Sequence, residues 1–463
     1  MIGCGMHSRV NLQESICMVF AVIVGGLILC WPAYLNGFPL VFADTGNYIG
    51  QAMLHYIGWN APPFYSMFLL ATDWRLTLWT PIFVQGVIVA SLLSMVLLHF
   101  DLRGPWPTLA TCTALAMFTS LPWVVSQLMA DVFTGVVVLS LALLAFAKLG
   151  FWQRLYLMLL AAGAISFHQS HIPLAFGLLV VGCALRWWQD GLAAALLTLR
   201  RLAPAPVIAT LMVFGVNLFG LGSASLSPFS GVVLAARMMG DGTATEYLRF
   251  ACPTEHYKIC NHLDQLGVGG SILLWSKPAL WSAMGGLRAW APEASRIVRG
   301  TIDYKPDAVI VAAVQNGVRQ IETMKTGRAL EPWSNSDGPR PLIARFFHKQ
   351  LTSYDNSRQE TGLLVDDVKP FAALHVPLAW LGLIALLCAI VTERRDQAIL
   401  SFCIMVLAAV LGNSLITGAL SGVENRYAAR VAWLLVLVPC IVLARRFQAD
   451  FRLNVADVII PVT

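Results

Sequence analysis

Apolar runs long enough to cross a membrane limit this chain more than any other feature. A helix covers the hydrocarbon core of a bilayer with about 20 mostly apolar residues. Such runs stand at 16–35, 78–99, 108–129, 131–147, 204–222, 371–391, 397–420 and 431–444. A further stretch, 155–187, is too long for one comfortable crossing and is interrupted by FHQSH (Phe167 to His171), which predicts a hairpin of two short spans. With 57% apolar and 12% charged residues over 463 positions, the surface is too apolar for a soluble protein of this size. The expected fold is an all-α polytopic membrane protein with about ten transmembrane helices. The first run carries no small-residue cleavage site and is read as a retained span.

Charge placement sets the orientation, because short cytoplasmic loops collect Lys and Arg while long translocated regions are exempt from the count. With ten spans and the N-terminus inside, twelve basic residues fall on the cytoplasmic side, among them Arg103, Lys148, Arg200, Arg394 and Arg445. The short outer loops then hold only Arg75, Arg426 and Arg430. A single crossing at 155–187 would reverse everything after it and place TERRD (Thr392 to Asp396) outside. The expectation is therefore both termini cytoplasmic and three parts: an N-terminal transmembrane module 1–222 with its first outer loop at 36–77, an extracytoplasmic soluble, mainly helical domain 223–370, and a C-terminal transmembrane module 371–463. The middle part carries sixteen Lys or Arg and fourteen Asp or Glu, with helical patterns at 231–250 and 307–324. Its tryptophans Trp275, Trp281, Trp290 and Trp333 are expected to pack a small core or to lie at the lipid headgroups.

Only Cys252 and Cys260 of the ten cysteines fall in that outer region. They close CPTEHYKIC, whose Pro253 favours a bend, and the compartment implied by the topology is oxidising, so a disulfide is expected. His256 and His262 do not complete a familiar zinc spacing, and no metal site is assigned. No repeat, phosphate-binding glycine loop or nucleic-acid patch is visible, and the net charge of +6 resides mostly in inner loops.

The polar residues that need explaining gather on the outer face. Asp44, Tyr48, His55, Asp73 and Arg75 lie in the first outer loop, Asp131 follows the third run, His168 and His171 mark the hairpin tip, and Glu424, Arg426 and Arg430 precede the last run. Ionisable groups at a membrane boundary are costly enough that such a convergence marks a site.

The order of ADTGNY (43–48), PPFYSMFLL (62–70) and LPWVVSQLMAD (121–131) around the first three runs resembles the GT-C superfamily of glycosyltransferases, and also uncharacterised bacterial membrane proteins placed near it. The resemblance covers the layout of residues 16–190. It implies a polytopic enzyme, in a bacterial inner membrane, that takes a sugar from a polyprenyl-phosphate carrier and gives it to a glycan, lipid or protein acceptor at the outer face. An acidic residue in the first outer loop and another in the next are matched by Asp44 and Asp131. The cofactor is unknown; a divalent metal has no motif to hold it. Membrane lipids are expected partners and nucleic acid is not.

Such a transfer needs a base for the acceptor's proton and a cation for the leaving phosphate. Asp44 is the candidate base, and Arg426 the candidate cation with Arg430 and Arg75 in reserve, since a guanidinium holds two phosphate oxygens at once. Tyr48, His168, His171 and Glu424 complete the expected binding set, with Asp131 orienting the acceptor or holding Asp44 indirectly. Structural roles compete with each of these. Asp44 can bond its own turn, Asp131 can favour a helix N-terminus, the histidines can satisfy backbone groups at the hairpin tip, and ENRYAARVAW (424–433) can anchor at headgroup depth. A polysaccharide polymerase or lipid-linked ligase, which leans on arginines, and a lipid or glycolipid transporter are the rival functions.

Overall fold

A computed structural model describes residues 12–458, except 269, 276–277, 328–329 and 334–337. The two chain ends, expected on the cytoplasmic side, lie outside the described residues. Among the described residues the secondary structure is helical, with one isolated parallel bridge joining Leu40 to Gln127. Among the described residues six helices are long and apolar enough to cross a membrane: Trp79–His99, His171–Asp190, Leu192–Leu221, Leu364–Thr392, Gln397–Leu420 and Asn425–Gln448.

Elsewhere the apolar runs do not become single helices of spanning length. The run at 108–129 folds as Pro105–Phe118, a break at Thr119–Ser120, and a short helix Leu121–Val125. Thr119 turns the chain there, its hydroxyl donating to the Leu115 carbonyl while its oxygen accepts the Leu121 N–H, and Pro122 is tolerated in the first turn of the next helix. The run at 131–147 becomes Val132–Phe146, only 15 residues and buried along almost its whole length. The run at 16–35 divides into Leu12–Leu29 and Trp31–Asn36. In 155–187 the chain turns at 167–170 between the helices Phe151–Ser166 and His171–Asp190.

One apolar core runs through the membrane helices, and a second lies between Phe229 and Val298. The second is built on helices Ser230–Gly240, Thr243–Ala251 and Leu287–Tyr304 around Trp290, which is fully buried. The Cys252–Cys260 disulfide sits at its edge. Trp281 packs against this core, Trp333 meets Phe42 of the first outer loop edge-on, and Trp275 is exposed beside Trp59. The rest of the middle part packs on the membrane module instead: Met324, Ile343, Phe347 and Tyr354 belong to the main core.

Two clasps hold the first outer loop at the point where the site begins. On one side Leu40 donates to the Ser126 carbonyl and accepts from Leu128 N–H, each at 2.9 Å. On the other, the Gln359 side-chain amide donates to Val41 O at 2.7 Å and accepts from Val41 N at 3.0 Å. Gln359 is thus doing for Val41 what a neighbouring strand would do, leaving no backbone group of that buried residue unpaired.

Candidate active site

Helix Ala43–Leu54 starts immediately after these clasps. Its first turn is capped by Thr45, whose hydroxyl oxygen accepts the Phe42 N–H at 2.9 Å and whose hydroxyl donates to Leu128 O at 3.1 Å. Capping is therefore done by Thr45, and the Asp44 carboxylate is turned to other partners. One of its oxygens accepts from Arg426 Nη1 at 2.9 Å, the other from Asn60 Nδ2 at 3.3 Å.

Arg426 stands in the first turn of helix Asn425–Val458 and meets a second carboxylate as well: its Nε lies 3.6 Å from Asp131 Oδ2. Asp131 precedes helix Val132–Phe146 but makes no side-chain cap to it. Its Oδ1 instead accepts from Arg430 Nη1 at 3.0 Å. Arg430 is wholly buried and donates further to Asn413 Oδ1, from Nη2 at 2.8 Å and Nε at 3.1 Å, and to Ser170 Oγ at 3.0 Å. The result is a ladder of alternating charge, Asp44–Arg426–Asp131–Arg430, with no net charge. Buried ions tolerate such a place only when paired and hydrogen-bonded. The Arg426 guanidinium also lies over two rings, 4.5 Å from the centre of Phe42 and 5.0 Å from that of Tyr427.

Exposure divides the ladder into two halves. Arg430 and Asp131 are shut away, whereas the side chains of Arg426 and Asp44 keep 15% and 20% of their surface. Those two line a cavity of about 610 Å³ that is bounded also by Tyr48, His168, Glu424 and Tyr427. Another part of its wall carries Trp59 of the first outer loop beside Trp275, and the Arg237–Asp241 ion pair at helix Ser230–Gly240.

The other expected residues fall into three groups. Tyr48 lies in the cavity wall and packs edge-on against Tyr65 at 4.7 Å; burial, and then the nearby Asp44 and Asp131, push its phenol well above the ordinary range, so it remains a neutral group. Glu424 is held by its backbone, donating to Gln320 Oε1 at 2.8 Å and accepting from Gln320 Nε2 at 2.7 Å. His168 faces the cavity, where burial and then Arg430 hold its imidazole well below its usual value; its Nδ1 accepts from the Ser170 backbone at 3.2 Å. His171 lies behind it with both ring nitrogens engaged, Nε2 with Thr134 Oγ1 and Nδ1 with the Ala164 carbonyl, each at 2.8 Å. That pairing accounts for His171 as a residue that stitches the hairpin tip to helix Val132–Phe146. Arg75 stands elsewhere, on an exposed turn at φ +57°, its N–H bonded to Asp73, and does not line the cavity. Among the described residues no three His, Cys, Asp or Glu side chains gather as metal ligands.

Asn60, Asn413, Ser170 and Tyr427 were not legible as site residues. Asn413 had a signal, an amide inside an otherwise apolar run; the others belong to no motif or spacing that distinguishes them.

The six apolar helices define a helical integral membrane protein, and its ionisable side chains converge on one partly open cavity. No family model matches the chain, and no curated protein or solved structure matches it.

Proposed function

We propose that the protein is a ten-span glycosyltransferase of GT-C-like architecture, with 223–370 on the extracytoplasmic side of a bacterial inner membrane. It moves a sugar from a polyprenyl-phosphate carrier to an acceptor hydroxyl. The observation that carries this reading is the Asp44–Arg426 contact on the wall of a cavity large enough for a sugar and part of its acceptor. A base and a phosphate-binding cation are the two groups the transfer needs, and here they come from opposite ends of the chain to one place.

The pair is closed on itself at 2.9 Å. A carrier phosphate drawn to the Arg426 guanidinium competes with Asp44 for it, so that binding of the donor releases the carboxylate for its task. The acceptor O–H then gives its proton to Asp44 while its oxygen forms the new bond to the anomeric carbon. The bond from that carbon to the phosphate oxygen breaks, its electron pair leaves with the phosphate, and Arg426 meets the developing charge. Asp131 acts at one remove, holding Arg426 in position.

A polymerase or lipid-linked ligase is the second reading, favoured by the fact that two arginines at the start of the last helix, Arg426 and Arg430, converge on Asp131, the first of them on the cavity wall. The test is transfer from a radiolabelled polyprenyl-phosphate hexose in reconstituted vesicles, with glycan, lipid and peptide acceptors offered in parallel. Donor binding and product formation support the first reading. Elongation of a lipid-linked glycan without use of the monosaccharide donor supports the second.

A further inference from the structure

Helix Pro306–Glu322 lies in the region expected to be aqueous, yet it leaves a row of large apolar side chains uncovered. Ile310, Val311, Val314 and Val318 fall on one stripe by helical spacing, and each is more than half exposed. No charge interrupts residues 308–318, although the surrounding region is rich in Lys, Arg, Asp and Glu. A monomer surface in water rarely carries such a stripe.

The stripe adjoins the exposed apolar surface of one of the six helices long and apolar enough to cross a membrane. The helix packs flush on the span Gln397–Leu420 through glycines: a Cβ at Gly418 would lie 2.5 Å from the Asn316 carbonyl oxygen, and one at Gly317 would lie 3.2 Å from Leu415. Leu411 and Leu415 of that span are themselves about half exposed. Immediately before the helix, Tyr304 stacks on the exposed Phe250 at 4.9 Å, an aromatic pair of the kind that settles at headgroup depth.

We propose that helix Pro306–Glu322 is seated in the leaflet on the Asp44 side of the membrane, with Ile310, Val311, Val314 and Val318 against lipid acyl chains. Such helices lie with their apolar face roughly 5–10 Å into the headgroup and acyl boundary. The middle part of the chain is therefore lipid-bound along this helix. Because Asn316 and Arg319 of the same helix line the cavity, one wall of that cavity stands in lipid. None of this depends on the chemistry assigned to Asp44.

The test uses the full chain in phosphatidylcholine–phosphatidylglycerol vesicles containing a phosphatidylcholine with a diazirine in one acyl chain. After irradiation, adducts are mapped by peptide mass spectrometry. Adducts are expected within 308–318 at a yield comparable to that on Leu411 and Leu415, and none at the exposed Arg288–Ala289. An unlabelled 308–318 beside a labelled 411–415 overturns the proposal. So does protection of the stripe together with a dimer in native mass spectrometry, which would assign the face to a second copy of the chain.

Discussion

Asp44 and Arg426 stand 382 positions apart in the chain and meet at 2.9 Å. The contact joins the first outer loop to the start of the last helix, and Arg426 ties it to Asp131 and through that carboxylate to Arg430. One half of the ladder is open to the cavity and the other is sealed, so the two halves answer differently to substitution.

Asp44→Asn keeps the shape and, through its amide oxygen, the hydrogen bond from Arg426, while it gives up the acceptor that faces Asn60 Nδ2 and removes the group that takes a proton. Helix Ala43–Leu54 keeps its cap, because Thr45 supplies it. The expected result is a folded protein that binds the labelled donor while turnover falls by about 10² to 10⁴. Turnover within a few-fold of wild type would remove Asp44 from the mechanism and shift the weight to Arg426.

Arg430 should behave as a structural residue. Arg430→Met leaves the buried Asp131 without its closest cation, a loss of about 3–5 kcal/mol for a broken buried pair. Arg430→Lys is expected to recover little, since one ammonium cannot replace the fork that serves Asp131, Asn413 and Ser170 together. The double variant Asp131→Asn with Arg430→Met should regain part of the loss. Thermal unfolding in detergent reads all three; an Arg430→Met protein within about 1 kcal/mol of wild type contradicts the account.

Asp73 gives a pH dependence of determined sign. Burial lifts its carboxyl from 3.8 to about 6, with the Arg75 amide pulling only partly back. The folded state thus holds this proton more tightly than the unfolded state does, and stability contributed here falls as pH rises from about 4 to about 6 and is level above that. Asp73→Asn still accepts the Arg75 N–H through its amide oxygen. It should raise stability at neutral pH by roughly 1–3 kcal/mol and flatten the slope. Denaturation midpoints across that range check both.

The ten-span orientation places Ala289 and Arg394, both exposed, on opposite sides of the membrane. In a background lacking the unpaired cysteines, Ala289→Cys should react with an impermeant thiol reagent added outside and Arg394→Cys should not. Equal labelling of both from one side ends that topology.

The membrane class was legible from the sequence because crossing a bilayer demands some twenty apolar residues in an unbroken run, and that demand is local. The turn at 167–170 was legible for a similar reason: four consecutive polar side chains, His168 to His171, are more than the middle of one apolar crossing readily holds. The Cys252–Cys260 bridge followed from a short separation and a proline. Tertiary structure decided what those local rules do not reach. The run at 108–129 satisfies every requirement of length and apolarity, yet it breaks at Thr119, where helix ends can be satisfied by side chains inside a packed bundle instead of by water. Helix Pro306–Glu322 has a polar setting in sequence and an apolar face in space, because which of its sides is left uncovered depends on the span it leans against. Asp44, Asp131, Arg426 and Arg430 could each be singled out as charges out of place, but nothing in their spacing ordered them into a ladder. Only the fold, by burying one pair and leaving the other at the cavity wall, separates the arginine that is sealed inside from the one that faces the cavity.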